Sequence, residues 1–321
     1  AKGFDRSFTL LQGVDLHFKN TPNRYKRIAN YTEDGKEVSF SELPADFFST
    51  DYYTDKLLQY FDKDQNSNKP FFAFAAYTAP HWPIQAPQAF TDKYKGKYDV
   101  GYDVIRNNRI ARQKQLGIIP VNFNPAKPLE TVNIPNYPTW DNLSPEQKAF
   151  EARKMEIYAG MVENLDHNVG RIIQYLKDHG QYDNTLIFFV SDNGAEGFLL
   201  NSVDETVFDQ SLDAIGTDQS FHYVGPRWAE VSAAPFHLWK ATAGEGATTS
   251  PAIVKLPNQK QAKEKYHGFA SVLDILPTVL DFAKVSVPKD QYNGRAINNP
   301  SGVSWKNALE NVFLTSSCRP W

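Results

Sequence analysis

Two short runs constrain this chain more than anything else in it. Phe71-Phe72-Ala73-Phe74-Ala75-Ala76-Tyr77 and Leu186-Ile187-Phe188-Phe189-Val190 are apolar without alternation. A strand with one wet face would alternate, so each run predicts a strand in a sheet covered on both faces. Between them Met155, Tyr158, Met161, Val162, Leu165, Val169, Ile172, Ile173 and Leu176 recur at helical steps, with Gly180 where a C-terminal cap belongs. That predicts one long amphipathic helix. Ala252-Ile253-Val254-Lys255-Leu256 predicts a third strand, and Asp274 to Phe282 a helix whose first turn tolerates Pro277. The alternation of strand and helix predicts an α/β fold, with a mostly parallel or mixed central sheet and helices on both faces. In such sheets ligands bind beyond the carboxyl ends of the strands.

The rest of the chain is less regular. Residues 1–50 mix aromatic residues with Gly, Asn and Asp, which predicts loops and short elements. From Thr54, Leu57, Leu58, Tyr60 and Phe61 share one side of a short helix, and a polar turn over Asn66 to Pro70 leads into the first apolar run. Thr78 to Trp140 reads as a long surface excursion with a helix over Val104 to Leu116. With 321 residues, 41% hydrophobic and 22% charged, the chain is long enough for a large core, and disorder is excluded. Lys plus Arg (34) against Asp plus Glu (37) leaves −3, without the basic excess that binding a phosphate backbone demands, so nucleic acid is not an expected partner. Neither apolar run approaches the ~20 residues of a membrane span. The single cysteine, Cys318, excludes an intrachain disulfide, a cysteine zinc site and a CxxC redox pair.

The segments at the strand exits carry the chemistry. The first run leads into Thr78-Ala79-Pro80-His81-Trp82-Pro83, where His81 is set between prolines and beside Trp82, suited to holding one orientation toward a reacting group. The second leads into Ser191-Asp192-Asn193-Gly194-Ala195-Glu196-Gly197. Asp192 and Asn193 offer two hard oxygens, suited to calcium or magnesium rather than zinc, although an Asp-Asn-Gly tripeptide by itself is more often only a turn. In a third cluster, Phe236-His237-Leu238-Trp239-Lys240, Lys240 lies between aromatic residues and a Gly-containing loop. There it is either an anion-binding cation or a solvated surface lysine. The remaining histidines show no metal-ligand spacing, and of these His222 and His237 lie nearest the Lys240 cluster, as candidates to line a pocket. The insertion from Phe198 to Phe221 is expected to shape its entrance. The triplets Asn30-Tyr31-Thr32 and Asn142-Leu143-Ser144 match the N-glycosylation pattern, which arises by chance in a chain this long.

At these three clusters the sequence resembles the type I sulfatases, specifically the bacterial arylsulfatase branch within the alkaline phosphatase superfamily. Phe71 to Pro87 is similar to the segment bearing that family's second active-site histidine, Thr185 to Gly197 to its metal turn, and Phe236 to Lys240 to its sulfate-binding lysine segment. Gly3-Phe4-Asp5, Tyr158 to Leu176, Gly225 to Trp228 and Val272 to Thr278 extend the similarity over nearly the whole chain. The resemblance implies that Asp192 and Asn193 ligate one calcium ion and that His81 and Lys240 contact the sulfate ester oxygens. It further implies a formylglycine hydrate, made from a cysteine or serine, that attacks sulfur in line and expels the alcohol or phenol. Negative charge then spreads over the sulfuryl oxygens and the leaving oxygen, where a divalent cation, a lysine and a histidine act as preorganised stabilisers. His81 is also expected to protonate the leaving oxygen.

The family places Asp-Asp metal ligands, a Cys-x-Pro-x-Arg nucleophile motif and a Lys-x-His pair ahead of the Gly-Phe-Asp segment, which here opens the chain. The expectation is therefore a fragment. Residues 1–300 form part of a sulfatase catalytic domain with its N-terminal part missing, and 301–321 form a truncated tail toward a missing C-terminal subdomain. Such a chain is expected to be inactive by itself. Cys318-Arg319-Pro320 stands at the wrong end to serve as the nucleophile. The implied partners are a small-molecule sulfate ester and the formylglycine-generating enzyme, and a periplasmic or secreted location is favoured over a cytoplasmic one. The competing readings are a related phosphodiesterase or phosphonate monoester hydrolase of the same superfamily, and a non-catalytic remnant.

Overall fold

The computed structural model describes residues 3–19, 29–65, 67, 69–128, 138–197, 207–259, 265–266 and 268–310. The chain divides into two units, Ala1–Tyr182 with Asn193–Ser250, and Asp183–Asp192 with Pro251–Trp321.

The first unit opens with a small antiparallel meander of β1 (Phe8–Leu10), β2 (Tyr31–Glu33) and β3 (Lys36–Val38). Asp34 and Gly35 join the last two strands with φ of 51° and 79°. Two consecutive left-handed residues make the turn whose twist matches a hairpin, and Asp-Gly is the pair that adopts it at least cost. Tyr31, Leu43 and Phe47 are buried behind this sheet, with Phe8 and Tyr52 packed on them. Helix α1 (Ser49–Asp64) starts several residues before the helix read from Thr54, because Ser49, Thr50 and Thr54 are all buried and the Ser49 N–H donates to the His17 carbonyl at 2.7 Å. Helices α2 (Gln88–Thr91) and α3 (Tyr102–Gln115) come next, the latter matching its sequence reading within two residues.

The spine of the unit is α4 (Pro145–Asp178). A capping box sets its start: the Gln147 N–H donates to Ser144 Oγ, and the Ser144 N–H donates to Gln147 Oε1 at 2.9 Å, with Pro145 at the first helical position. At its other end Gly180 is left-handed, as the cap expected there requires. Helices α1 and α2 both pack on α4. Asp51 Oδ1 of α1 accepts from Asn164 Nδ2 at 2.9 Å and Asn168 Nδ2 at 2.6 Å, so the buried amides of α4 are held by a carboxylate. Beyond α4, α5 (Pro226–Ala233) packs against α3, and a short α6 (Glu245–Thr248) closes the unit. Met155, Ile157 and Met161 of α4 share one core with Ile84, Tyr102 and Trp228. Trp228 has no exposed surface, and its indole N–H donates to the Glu151 carbonyl at 2.9 Å.

In the second unit β4 (Ile187–Val190) pairs antiparallel with β5 (Ala252–Lys255). Helix α7 (Ile275–Phe282), a hairpin of β6 (Gln291–Tyr292) and β7 (Arg295–Ala296), and α8 (Lys306–Glu310) complete it. Asp274, with no exposed surface, accepts hydrogen bonds from the backbone N–H of Ser271 and Val303 and from the Trp305 indole N–H at 2.8 Å. These bonds tie the turn before α7 to the segment before α8.

Two expectations need correcting. Phe71 to Tyr77 is extended but pairs with no strand among the described residues, and Phe72 and Phe74 are 62% and 71% exposed. Apolar content alone does not make a strand when the ladder partner is not beside it. Likewise β4 is not covered on both faces, since Phe189, Val190 and the facing Ile253 are exposed. The α/β class stands, but every strand pair among the described residues is antiparallel. A connection as long as that from Ser191 to Pro251 lets β5 return in either direction, so strand order does not determine strand polarity. Cys318 and residues 198–206 of the insertion lie outside the described residues.

Candidate active site

His81 comes shortly after the extended run and is set by backbone contacts. Its N–H donates to the Thr78 carbonyl at 2.9 Å, and its Nδ1 lies 2.8 Å from the Trp82 carbonyl oxygen. A carbonyl only accepts, so Nδ1 carries the proton. The ring packs on Trp82 at 4.7 Å between centroids, and Trp82 in turn packs on Phe221.

Beneath this segment lies His17, fully buried, a residue to which sequence reasoning gave no role. Its Nε2 lies 3.2 Å from the His81 carbonyl oxygen and its Nδ1 2.8 Å from Ser49 Oγ. The same acceptor argument places the proton on Nε2, with Nδ1 accepting from the serine hydroxyl. Burial pushes the His17 pKa down to about 4, so the ring is neutral near pH 7. Gln85, also fully buried, accepts from the His17 N–H at 2.8 Å and donates through Nε2 to the Thr217 and Ser220 carbonyls. The only sequence signal for either residue is a polar side chain in an apolar setting.

Lys240 reaches the same place from the other end of the unit. Its backbone N–H donates to the Ala195 carbonyl at 2.8 Å, and the Gly246 N–H donates to the His237 carbonyl at 2.9 Å, folding the loop onto the turn that starts at Asn193. Gly194 is required there, because a Cβ would stand 1.8 Å from the Gly246 carbonyl oxygen. Leu238 and Ala241, on either side of Lys240, are left-handed at φ of 67° and 69°. A residue with a side chain pays for that conformation with about 1–3 kcal/mol, and such strain clusters at functional sites.

The result is a contact across 159 positions of sequence, with Lys240 Nζ 3.3 Å from His81 Nε2. A third group joins them, to which sequence reasoning assigned no role. Glu196 Oε2 lies 2.8 Å from Lys240 Nζ and 3.7 Å from His81 Nε2. All three side chains keep some exposure, 30% for His81, 34% for Lys240 and 19% for Glu196. An ammonium has three donors, so with Glu196 and His81 served one remains for a ligand. The group suits an anion met from solvent.

The other predicted residues are placed differently. Asn193 belongs to the unit that carries His81 and Lys240, whereas Asp192 is exposed and belongs to the unit that carries β4. Their oxygens fit a hard cation in kind but not in number. Calcium takes six to eight ligands, and no group of three or more His, Cys, Asp or Glu among the described residues could hold a metal. His222 is a core residue rather than a pocket wall: it is 6% exposed, packs edge-on against Phe150 at 5.2 Å, and burial pushes its pKa down to about 4. His237 is half-buried, and its backbone carbonyl is what shapes the Lys240 loop.

The sulfatase family profile matches residues 1–285. The chain is 40% identical over 317 residues to the sulfatase PB10D8.02c of Schizosaccharomyces pombe, covering 95% of this chain and 56% of that protein. It is 34% identical over 299 residues to the arylsulfatase of Klebsiella aerogenes, covering 90% and 62% respectively. The chain thus spans less than two thirds of the length of these relatives. The crystal structure of Ps i-CgsB in complex with k-i-k-neocarrahexaose superimposes with a TM-score of 0.59 at 22% identity, over 97% of this chain and 51% of that one, which shows the fold. The chain belongs to the sulfatase family, as a type I sulfatase of the alkaline phosphatase superfamily.

Proposed function

We propose that the protein to which this chain belongs hydrolyses sulfate esters in the manner of an arylsulfatase, yielding an alcohol or phenol and sulfate. One observation carries the reading: Lys240 Nζ and His81 Nε2 stand 3.3 Å apart on an accessible surface. On this reading Lys240 donates to the sulfuryl oxygens, and His81 does so through Nε2 in its imidazolium form. Charge on those oxygens and on the leaving oxygen grows toward the transition state, so donors already in place stabilise it more than the ground state. His81 acts through Nε2, the nitrogen turned away from the Trp82 carbonyl, and in the imidazolium form, which carries a proton on each nitrogen, is assigned to protonate the leaving oxygen. In the sulfatase family a formylglycine installed by the formylglycine-generating enzyme supplies the nucleophile; one calcium ion would supply further positive charge, with Asp192 and Asn193 as two of the six to eight oxygen ligands it takes. The substrate is a small-molecule sulfate ester, and the location periplasmic or secreted.

The test is turnover of 4-nitrophenyl sulfate by the product of the longest open reading frame, co-expressed with the formylglycine-generating enzyme and assayed with calcium. Sulfate ester hydrolysis exceeding phosphate ester hydrolysis supports the reading. Faster turnover of 4-nitrophenyl phosphate or of a phosphonate monoester assigns the protein to the neighbouring hydrolases, and no turnover of any of these overturns the enzymatic reading.

A further inference from the structure

The sulfatase reading uses His81 and Lys240 and leaves Glu196 without a task. A carboxylate there is unexpected on simple electrostatics. An anion-binding surface gains from positive charge, and Glu196 Oε2 at 2.8 Å from Lys240 Nζ offsets it. Nor is the ion pair a notable source of stability, since Glu196 is 19% and Lys240 34% exposed, and pairs that reach solvent contribute little. Its geometry is more informative.

Lysine has a long, freely rotating stem, and an ammonium beside an imidazole has no reason to stay there unaided. Glu196 supplies the reason, because a single oxygen faces both Lys240 Nζ at 2.8 Å and His81 Nε2 at 3.7 Å. The neighbouring backbone holds the segment that bears this carboxylate, since the Lys240 N–H donates to the carbonyl of Ala195, the residue before Glu196. Gly197, the residue after it, leaves room for the Trp239 ring, which a Cβ there would meet at 2.4 Å. The residues before Glu196 and Lys240 thus anchor the segments that carry the two charges.

We infer that Glu196 is a positioning residue: it pins the Lys240 ammonium against His81 Nε2, reinforcing the Nδ1–H tautomer that the Trp82 carbonyl sets and presenting the ammonium and the imidazole to an anion as one preorganised unit. With Nδ1–H directed at the Trp82 carbonyl and Nε2 facing the ammonium, the ring has one orientation and one tautomer. Without Glu196 the lysine swings into solvent and Nε2 loses its donor, so the Trp82 carbonyl alone holds the Nδ1–H tautomer and the preference for it weakens. The inference rests on the sulfatase reading for the identity of the anion, but not for the geometry.

Two readouts on the full chain separate these. Long-range ¹H–¹⁵N correlation of the His81 imidazole, assigned against His81→Gln, is expected to show one Nδ1–H pattern in the parent chain at pH 8. In Glu196→Gln, which keeps the shape and removes the charge, the two nitrogens are expected to move toward an averaged pattern, and Glu196→Asp to recover part of the parent pattern. Titration with inorganic sulfate at constant ionic strength is expected to show affinity falling at least threefold in Glu196→Gln. A carboxylate that only repelled anions would give the opposite sign. An unchanged His81 pattern, or sulfate bound more tightly by Glu196→Gln, overturns the positioning role. Sulfate binding indifferent to both His81→Gln and Lys240→Ala overturns the sulfatase reading of the site instead, and the His81 pattern still decides the role of Glu196. Should Glu196→Gln fail to fold, Glu196→Asp carries the test, with the His81 pattern expected to shift partway toward averaging and an unchanged pattern refuting the role.

Discussion

Gly194→Ala isolates the packing that brings the Lys240 loop onto the Asn193 turn. A methyl group at residue 194 would lie 1.8 Å from the Gly246 carbonyl oxygen and 2.8 Å from its carbon, both backbone atoms that no rotamer change can move. The strand exit and the loop must therefore separate. That stretches the hydrogen bond from the Gly194 N–H to the Ala247 carbonyl, now 2.8 Å, and the one from Lys240 N–H to the Ala195 carbonyl. Overpacking a closed contact costs about 1–3 kcal/mol, and weakening one or two hydrogen bonds adds about 0.5–1.5 kcal/mol each. The expected destabilisation is about 2–4 kcal/mol by urea denaturation. Gly170→Ala is the internal control. Gly170 lies within α4 on an exposed face, with nothing within 4 Å of a built Cβ. Removing the helix penalty of glycine should stabilise the chain by up to about 1 kcal/mol. Opposite signs are expected from the same chemical change. A Gly194→Ala loss below about 0.5 kcal/mol, under the smallest of these costs, or equal effects at the two positions, would refute the close approach from which the site is built.

Acid should unfold the chain through its buried histidines. His17 and His222 both have pKa values lowered to about 4 by burial, below the ~6.5 of an exposed imidazole, so their contribution is complete above about pH 6.5 and is lost as pH falls toward 4. His222→Phe, which keeps the packing on Phe150 and removes a buried Nε2 without a hydrogen-bond partner among the described residues, should lower the pH slope of the urea midpoint by up to one proton and leave the chain more stable at pH 5. An unchanged slope would contradict it. In the second unit, Trp305→Phe removes the indole donor to buried Asp274 and should cost about 1.5–3 kcal/mol, read as a lower denaturation midpoint. Phe72→Lys with Phe74→Lys removes two exposed rings from an extended run that pairs with no strand among the described residues. It should reduce self-association in light scattering with little change in midpoint, and unchanged association would show that another surface drives it.

How much of this is legible in the sequence depends on whether the signal is local. Helices α3 and α4 and the cap at Gly180 are readable because periodicity and capping lie within a few residues. The start of α4 at Ser144-Pro145-Glu146-Gln147 is an equally local signal, but it lies ahead of the apolar stripe and periodicity alone does not reach it. Strand coverage and polarity are not readable, since both depend on what lies alongside, and Phe71 to Tyr77 has the composition of a core strand on an exposed surface. In the site, His81 and Lys240 stand out by position and by resemblance, but their approach to 3.3 Å does not, because no spacing rule spans 159 residues. Glu196 looks like one more polar residue in a turn, and His17 like a histidine without metal spacing. Their roles come from contacts made only in three dimensions.

A double-mutant cycle on His81 and Lys240 tests the central claim most directly. It compares kcat/KM for 4-nitrophenyl sulfate in His81→Ala, Lys240→Ala and the double variant, all in the formylglycine-containing product of the longest open reading frame. Each single change is expected to cost about 10²–10³-fold, as loss of one transition-state donor does. The double change should cost well under the product of the two, because groups in contact act as a unit. Strictly multiplicative losses, or single losses below about threefold, would contradict the account of His81 and Lys240 as one anion-binding unit.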